Sequence, residues 1–190
     1  MFETRPIFYF LGILLICIGM AMLIPGMLNI AEGNSYWQNF LESSLILIFF
    51  GICLLIITKG TKKQLNIKQT FILTSLSWLV TALVSALPLY LDNNGLSFTD
   101  SFFESMSGIT TTGSTVIIGL DNCTPGILLW RAMLQWFGGV GFVVLAIAVL
   151  PVLRVSGNQL FQTEFSDSSS RARLRLTSLA SWIGTIYVFL

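Results

Sequence analysis

The run Thr110-Thr111-Thr112-Gly113-Ser114-Thr115 carries no charged side chain, yet its composition suits a backbone that binds a cation. β-Branched and small residues are poor helix formers, so the stretch reads as extended chain. An extended run with its carbonyls turned to one side replaces an ion's hydration shell with peptide oxygens, the device of potassium-selective filters. Gly113 has no Cβ and can take the positive φ that aligns successive carbonyls. Thr110, Thr111, Thr112 and Gly113 are therefore the candidate ion-binding residues, through main-chain oxygens, with the ion held at Thr111 and Thr112. On composition alone, the same stretch is also compatible with an extracellular turn.

What positions it is a set of long apolar blocks. The chain is 54% hydrophobic and only 10% charged, where a soluble domain shows roughly a quarter charged. Residues 7–28, 45–57, 71–91 and 132–153 carry almost no charge. A helix crossing a hydrocarbon core about 30 Å thick needs about 20 such residues. Three blocks meet that length, and the second meets it once Leu41 to Ser44 and Thr58 are added, with Glu42 left at the membrane surface. The fold class expected is all-α and integral to a membrane.

Lysine and arginine favour the cytoplasmic side. Arg5 precedes the first block, Lys59, Lys62, Lys63 and Lys68 follow the second, and Arg154, Arg171, Arg173 and Arg175 follow the fourth. The other two connections carry Glu32, and then Asp92, Asp100 and Glu104. The pattern reads in, out, in, out, in, with a cytoplasmic N-terminus. Arg131 alone falls on the outer side, where it is expected to snorkel to the headgroups. Tyr36, Trp37, Tyr90 and Trp130 are placed at outer boundaries as an aromatic belt.

Residues 96–120 then start and finish outside, although Phe98, Phe102, Phe103, Met106 and Ile109 are too apolar for an exposed loop. The reading is a re-entrant loop, a half-helix going in and extended chain coming out. Ser97 or Thr99 caps the half-helix, and Asp100 and Glu104 suit its positive N-terminus. Gly108 lets the chain leave the helix, whose negative end favours a cation. Non-helical backbone at that depth needs protein or a watery cavity around it.

Other chemistries find little support. A net charge of +1 gives no reason to expect nucleic acid, and Cys17, Cys53 and Cys123 have no metal or disulfide spacing. There is no histidine, and the spans offer no paired catalytic groups, so an enzyme and an organic cofactor are rejected. The first block is too long for a signal-peptide core and is read as a retained helix. Gly138-Gly139-Val140-Gly141 lacks the strand and lysine of a phosphate loop. Gly138, Gly139 and Gly141 instead make a flat surface for helix packing, and Gln135 is expected to bond a neighbouring helix or the loop. The basic clusters are topology signals that could also touch anionic lipid headgroups.

Residues 98–113, Phe-Thr-Asp-Ser-Phe-Phe-Glu-Ser-Met-Ser-Gly-Ile-Thr-Thr-Thr-Gly, closely resemble the first pore loop of Trk-type bacterial potassium transporter membrane subunits, within the Trk/Ktr/HKT superfamily. Leu129-Trp130-Arg131 and Gln135-Trp136-Phe137-Gly138-Gly139-Val140-Gly141 resemble the start of that family's next helix. The resemblance implies a helix hairpin followed by helix–pore loop–helix repeats around one pore. It makes residues 1–69 the N-terminal hairpin with its basic loop and 70–153 the first repeat. Residues 154–190 become a cytoplasmic linker and the start of a second repeat. Thr110, Thr111, Thr112 and Gly113 match the filter position by position, with Asp100, Glu104, Gly108 and Ser114 supporting the loop.

Relatives that admit sodium can carry serine in place of this glycine, so Gly113 implies potassium as the transported ion. The resemblance further implies a bacterial inner membrane, a homodimer in the full-length form and a cytoplasmic nucleotide-binding regulatory subunit. Three further repeats are missing, so the chain is expected to be a truncated product or a fragment. At about 1.5 Å per residue, the apolar run 176–190 reaches only about 22 Å. A non-conducting fragment or membrane scaffold of the same family is the alternative function.

Overall fold

The structure is a computed structural model that describes residues 4–60, 65–92 and 95–157, with side chains described as far as Phe142 and Ile67 excepted. Lys62, Lys63, the linker, the arginines at 171, 173 and 175 and the run 176–190 lie outside the described residues, as does the side chain of Arg154. The described residues form five α-helices and no strand. These are α1 (Arg5–Ala31), α2 (Trp37–Ile57), α3 (Ile67–Leu91), α4 (Phe98–Ile109) and α5 (Pro125–Gly157). Two compact units divide the chain, Met1–Trp136 and Phe137–Leu190, and α5 runs through the boundary between them.

Among the described residues, three helices are long and apolar enough to cross a membrane: Arg5–Ala31, Trp37–Ile57 and Lys68–Leu91. Each outruns its apolar block. α1 takes in Arg5 and Asn29, and α2 begins at Trp37, so Glu42 lies within the helix on an exposed face. Phe49, Phe50, Ile56 and Ile57 are exposed while Ser43 and Ser44 are fully buried, the reverse of a soluble helix pair. Large apolar surface of that kind needs lipid or another protein surface against it.

What brings α1 and α2 together is smallness. Gly12, Gly19 and Gly26 recur at heptad spacing along α1 and keep one face of it flat. A Cβ on Gly51 of α2 would stand 2.8 Å from the Gly12 carbonyl oxygen and 2.7 Å from Ile16 Cγ1. The Ser44 hydroxyl donates to the Gly19 carbonyl at 2.7 Å, which closes the pair with a hydrogen bond as well as with contact. In lipid, where the hydrophobic effect offers no drive for helices to associate, close approach and such bonds are what remain.

α1 also reaches the start of α5. Asn29 is fully buried, and its Oδ1 accepts the Gly126 backbone N–H at 2.8 Å. The first turn of a helix has free N–H groups, and here a side chain from the chain's first helix takes one of them. Trp130, expected at a membrane boundary, is instead fully buried. Its Nε1 donates to the Ser85 carbonyl on α3 at 3.1 Å, and its ring meets Phe40 edge-on at 6.4 Å. A buried indole N–H requires an acceptor, and the α3 backbone supplies one.

Gly51→Val should therefore destabilise the detergent-solubilised protein by about 1–3 kcal/mol through overpacking. Ile57→Ala, on the exposed face, should stay within about 0.5 kcal/mol. Thermal unfolding of the two variants checks this, and equal losses would contradict the close-packed α1–α2 contact.

Candidate functional site

α4 is an inside-out helix. Ser101, Glu104, Ser105 and Gly108 are buried on one face, while Phe98 and Phe103 are exposed. Ser97 caps it as expected, with a reciprocal capping box. The Asp100 N–H donates to Ser97 Oγ at 3.2 Å, and Asp100 Oδ2 accepts the Ser97 N–H at 3.2 Å. Asp100 thus supports the helix start, as its type and position suggest.

Glu104 does something else. It lies past the first turn, too far along to serve the helix N-terminus, and its side chain is fully buried. Its Oε1 accepts the Thr115 hydroxyl at 2.6 Å and the Val116 N–H at 2.5 Å, and its Oε2 accepts the Arg131 Nε–H at 2.8 Å. One carboxylate therefore joins α4, the returning chain and α5. Arg131 does not snorkel to a surface; its side chain is 12% exposed and turned into this pair. A buried carboxylate is tolerable because charged and neutral donors surround it.

Gly108 corrects a second expectation. It is helical, and the chain leaves α4 two residues later. What Gly108 provides is closeness, since a Cβ there would stand 3.0 Å from Leu134 Cβ on α5. The exit turn is made by Thr110 and by Thr111, whose φ is 59°. That value is rare for a β-branched residue and costs of the order of 1–3 kcal/mol. Gly113 does take the positive φ anticipated for it, at 76°. Gln135 reaches the loop there, its Nε2 standing 3.5 Å from where a Gly113 Cβ would be.

Carbonyl directions follow from the hydrogen bonds. The Thr112 and Gly113 N–H groups both donate to the Ser107 carbonyl oxygen, at 3.0 and 3.3 Å. Across a trans peptide, N–H and C=O point opposite ways. The carbonyls of Thr111 and Thr112 are therefore directed away from the end of α4. Thr111 N–H donates to the Gly108 carbonyl at 2.9 Å, so the Thr110 carbonyl also continues outward from the helix end. The Ser114 carbonyl faces the other way and accepts the Ser107 hydroxyl at 2.6 Å. Thr110 Oγ1 donates to the Met106 carbonyl at 2.7 Å, which leaves Thr112 to donate in the 2.9 Å contact between their hydroxyls. Residues 110–116 are all exposed. The result is a short row of open carbonyl oxygens beyond the negative end of a helix, which can replace water around a hard cation.

No group of three His, Cys, Asp or Glu among the described residues is placed to hold a metal ion through side chains. Gly138, Gly139 and Gly141 all lie on α5, and Gly138 is buried. Beside the site, Cys123 has its thiol pKa raised, first by burial, then by the negative charge of Asp92. Arg131 opposes the shift and Glu104 adds to it.

Residues 36–190 match the TrkH family model, described as a cation transport protein. The chain belongs to this family of cation transport proteins. It is a family of transporters and not of enzymes. The chain is similar to the Trk system potassium uptake protein TrkH of Escherichia coli (strain K12), at 37% identity over 99% of this chain and 40% of that protein. It is similar also to TrkI of Halomonas elongata, at 37% over 97% of this chain and 38% of that one. The crystal structure of the potassium transporter TrkH from Vibrio parahaemolyticus superposes with a TM-score of 0.81 at 34% identity. That match covers 98% of this chain and 37% of that one. The chain thus spans about 40% of the length of the Escherichia coli relative.

Two outcomes check the site. Glu104→Ala should cost about 3–5 kcal/mol, because it strands Arg131 without its carboxylate. Arg131→Ala should cost a similar amount, and the double variant clearly less than the sum, as a thermodynamic cycle of unfolding measurements would show. Maleimide labelling at Cys123, followed by mass spectrometry, should be slow at neutral pH and speed up as pH rises, since the raised pKa leaves little thiolate. Asp92→Asn should accelerate it; an unchanged rate would remove Asp92 as a cause.

Proposed function

We propose that this chain contributes one of four pore loops to a potassium-selective path across a bacterial inner membrane. The observation that carries the reading is the open row of carbonyls at Thr110, Thr111 and Thr112. It stands on a stretch whose family relatives are named as potassium uptake proteins. Gly113 completes the row, and a potassium ion would sit at Thr111 and Thr112. The strained φ of Thr111 fits this reading: strain is retained where the local conformation serves a purpose. α4 and the chain that follows it form the re-entrant element. Its polar face turns toward α3 and α5, and Asp100, Glu104, Gly108 and Ser114 support it. Potassium moves through such a path as cargo, driven by the membrane potential.

Residues 1–69 then form the N-terminal hairpin and 70–153 the first repeat, with 154–190 leading to a second. Arg5 and the basic cluster after α2 favour a cytoplasmic N-terminus. The ring of carbonyls is completed by further repeats of a longer polypeptide or by other copies. A homodimer and a cytoplasmic nucleotide-binding regulatory subunit complete the assembly. Lipid covers the exposed apolar faces of α1 and α2. Gly138, Gly139 and Gly141 pack α5 closely against a neighbouring helix.

Growth at limiting potassium of a bacterium stripped of its own uptake systems tests the reading. The wild-type chain should restore growth and Gly113→Asp should not, at equal membrane expression. Gly113→Ser should keep uptake but lower the preference for potassium over sodium. Wild-type protein present in the membrane without rescue would overturn conduction by this chain alone.

A further inference from the structure

We propose that Ser107 is a positioning residue that sets the cation preference of the loop by fixing which backbone oxygens face the ion. The proposal rests on the reading of residues 110–113 as part of a filter, and it names the side chain that orders them.

Ser107 is 5% exposed and lies one helical turn beyond Glu104 on α4. It holds three peptide units of the loop, 111–112, 112–113 and 114–115. Its carbonyl oxygen accepts the N–H groups of Thr112 and Gly113, at 3.0 and 3.3 Å. Its hydroxyl donates to the Ser114 carbonyl at 2.6 Å. The first two bonds turn the Thr111 and Thr112 carbonyls outward, as a trans peptide requires. The third turns the Ser114 carbonyl back. The row of open oxygens therefore ends before Ser114, and it ends because of a side chain.

The carbonyl bonds belong to the main chain and survive substitution. The hydroxyl bond does not. Without it, the Ser114 carbonyl has lost its donor and is free to swing to the open side, beside Gly113, whose φ of 76° leaves it few steric barriers. An extra, loosely held oxygen changes the number and stiffness of the ligands around an ion. Those are the properties on which discrimination between potassium and sodium depends. Residues 115 and 116 stay anchored to Glu104 in either case, so the loop keeps its place while its ligand set changes.

Ser105 provides the control. It lies on the same helix, is equally buried, and its hydroxyl has no partner among the described residues. Ser107→Ala, Ser107→Thr and Ser105→Ala would be introduced into the gene in its native cell, so that every neighbouring segment and partner stays in place. Rubidium and sodium uptake would then be measured with membrane level and melting temperature. Ser107→Ala should lower the rubidium-to-sodium uptake ratio by about three- to tenfold, the size a single neutral hydrogen bond brings to a preference between two states. Ser107→Thr, which keeps the hydroxyl, should restore most of the ratio. Ser105→Ala should leave it unchanged.

A Ser107→Ala ratio equal to wild type would overturn the proposal, and so would an equal fall in Ser105→Ala. Failure of the filter reading itself looks different: wild type would show no rubidium preference, and Gly113→Asp would leave uptake intact. That result would sink both.

Discussion

A carboxylate taken out of water must be given donors, and Glu104 receives three of them from two segments well apart in the sequence. Thr115 and Val116 belong to the returning chain and Arg131 to α5, whereas Glu104 itself belongs to α4. Any one of these contacts alone would be a local bond. Together they fix the start of the returning chain relative to both helices, and the exposed carbonyls of residues 110–112 are held between that anchor and the end of α4. The conformation of the loop is therefore imposed from behind. Among the described residues, no hydrogen bond is donated to the Thr110, Thr111 or Thr112 carbonyl oxygens, so none has to break for an ion to approach.

The inside-out character of α4 follows from the same constraint. A helix that carries Ser101, Glu104, Ser105 and Ser107 can bury them only where partners are at hand, so its polar face turns toward the protein and its phenylalanines turn away. The α1–α2 pair obeys a related rule with different means. There, glycine and serine remove bulk until backbone meets backbone, and Ser44 adds a bond to the Gly19 carbonyl. Asn29 then ties α1 to the first turn of α5, across most of the described chain. Among the described residues, one side-chain hydrogen bond, from the Gly126 N–H to Asn29, joins the first helix to the helix beside the loop.

Much of this was legible in advance. Apolar blocks gave the existence and order of the long helices, because an uncharged run of that length has few other uses, but α2 and α5 begin well before their blocks, at Trp37 and Pro125. Ser97 and Asp100 announced the start of α4 by the spacing of a capping box. Gly113 announced a positive φ, because only glycine takes one at little cost. Thr111 did not, because β-branched side chains are the last that local preference would place there. Gly108 misled for the opposite reason. A glycine near a helix end suggests an exit, whereas here the nearness of Leu134 explains it. Arg131 and Trp130 were read as boundary residues because both types are common there; a signal did exist, in the single acidic residue of α4 that lies beyond the reach of the helix N-terminus.

By itself the sequence determined what depends on neighbours along the chain: the order of the helices, the cap of α4, the place where helix formation fails, and a glycine suited to a left-handed turn in the loop. It also carried the family, through two long motifs in order. Only the tertiary structure decided which polar groups meet. Glu104 with Arg131, Asn29 with Gly126 and Trp130 with Ser85 are separated by many residues, and each side chain alone satisfies several partners equally well. Burial removes water as the alternative partner, and packing then leaves each group with one choice. Carbonyl direction is settled the same way, by which N–H groups the end of α4 can accept and by where Ser107 and Glu104 stand.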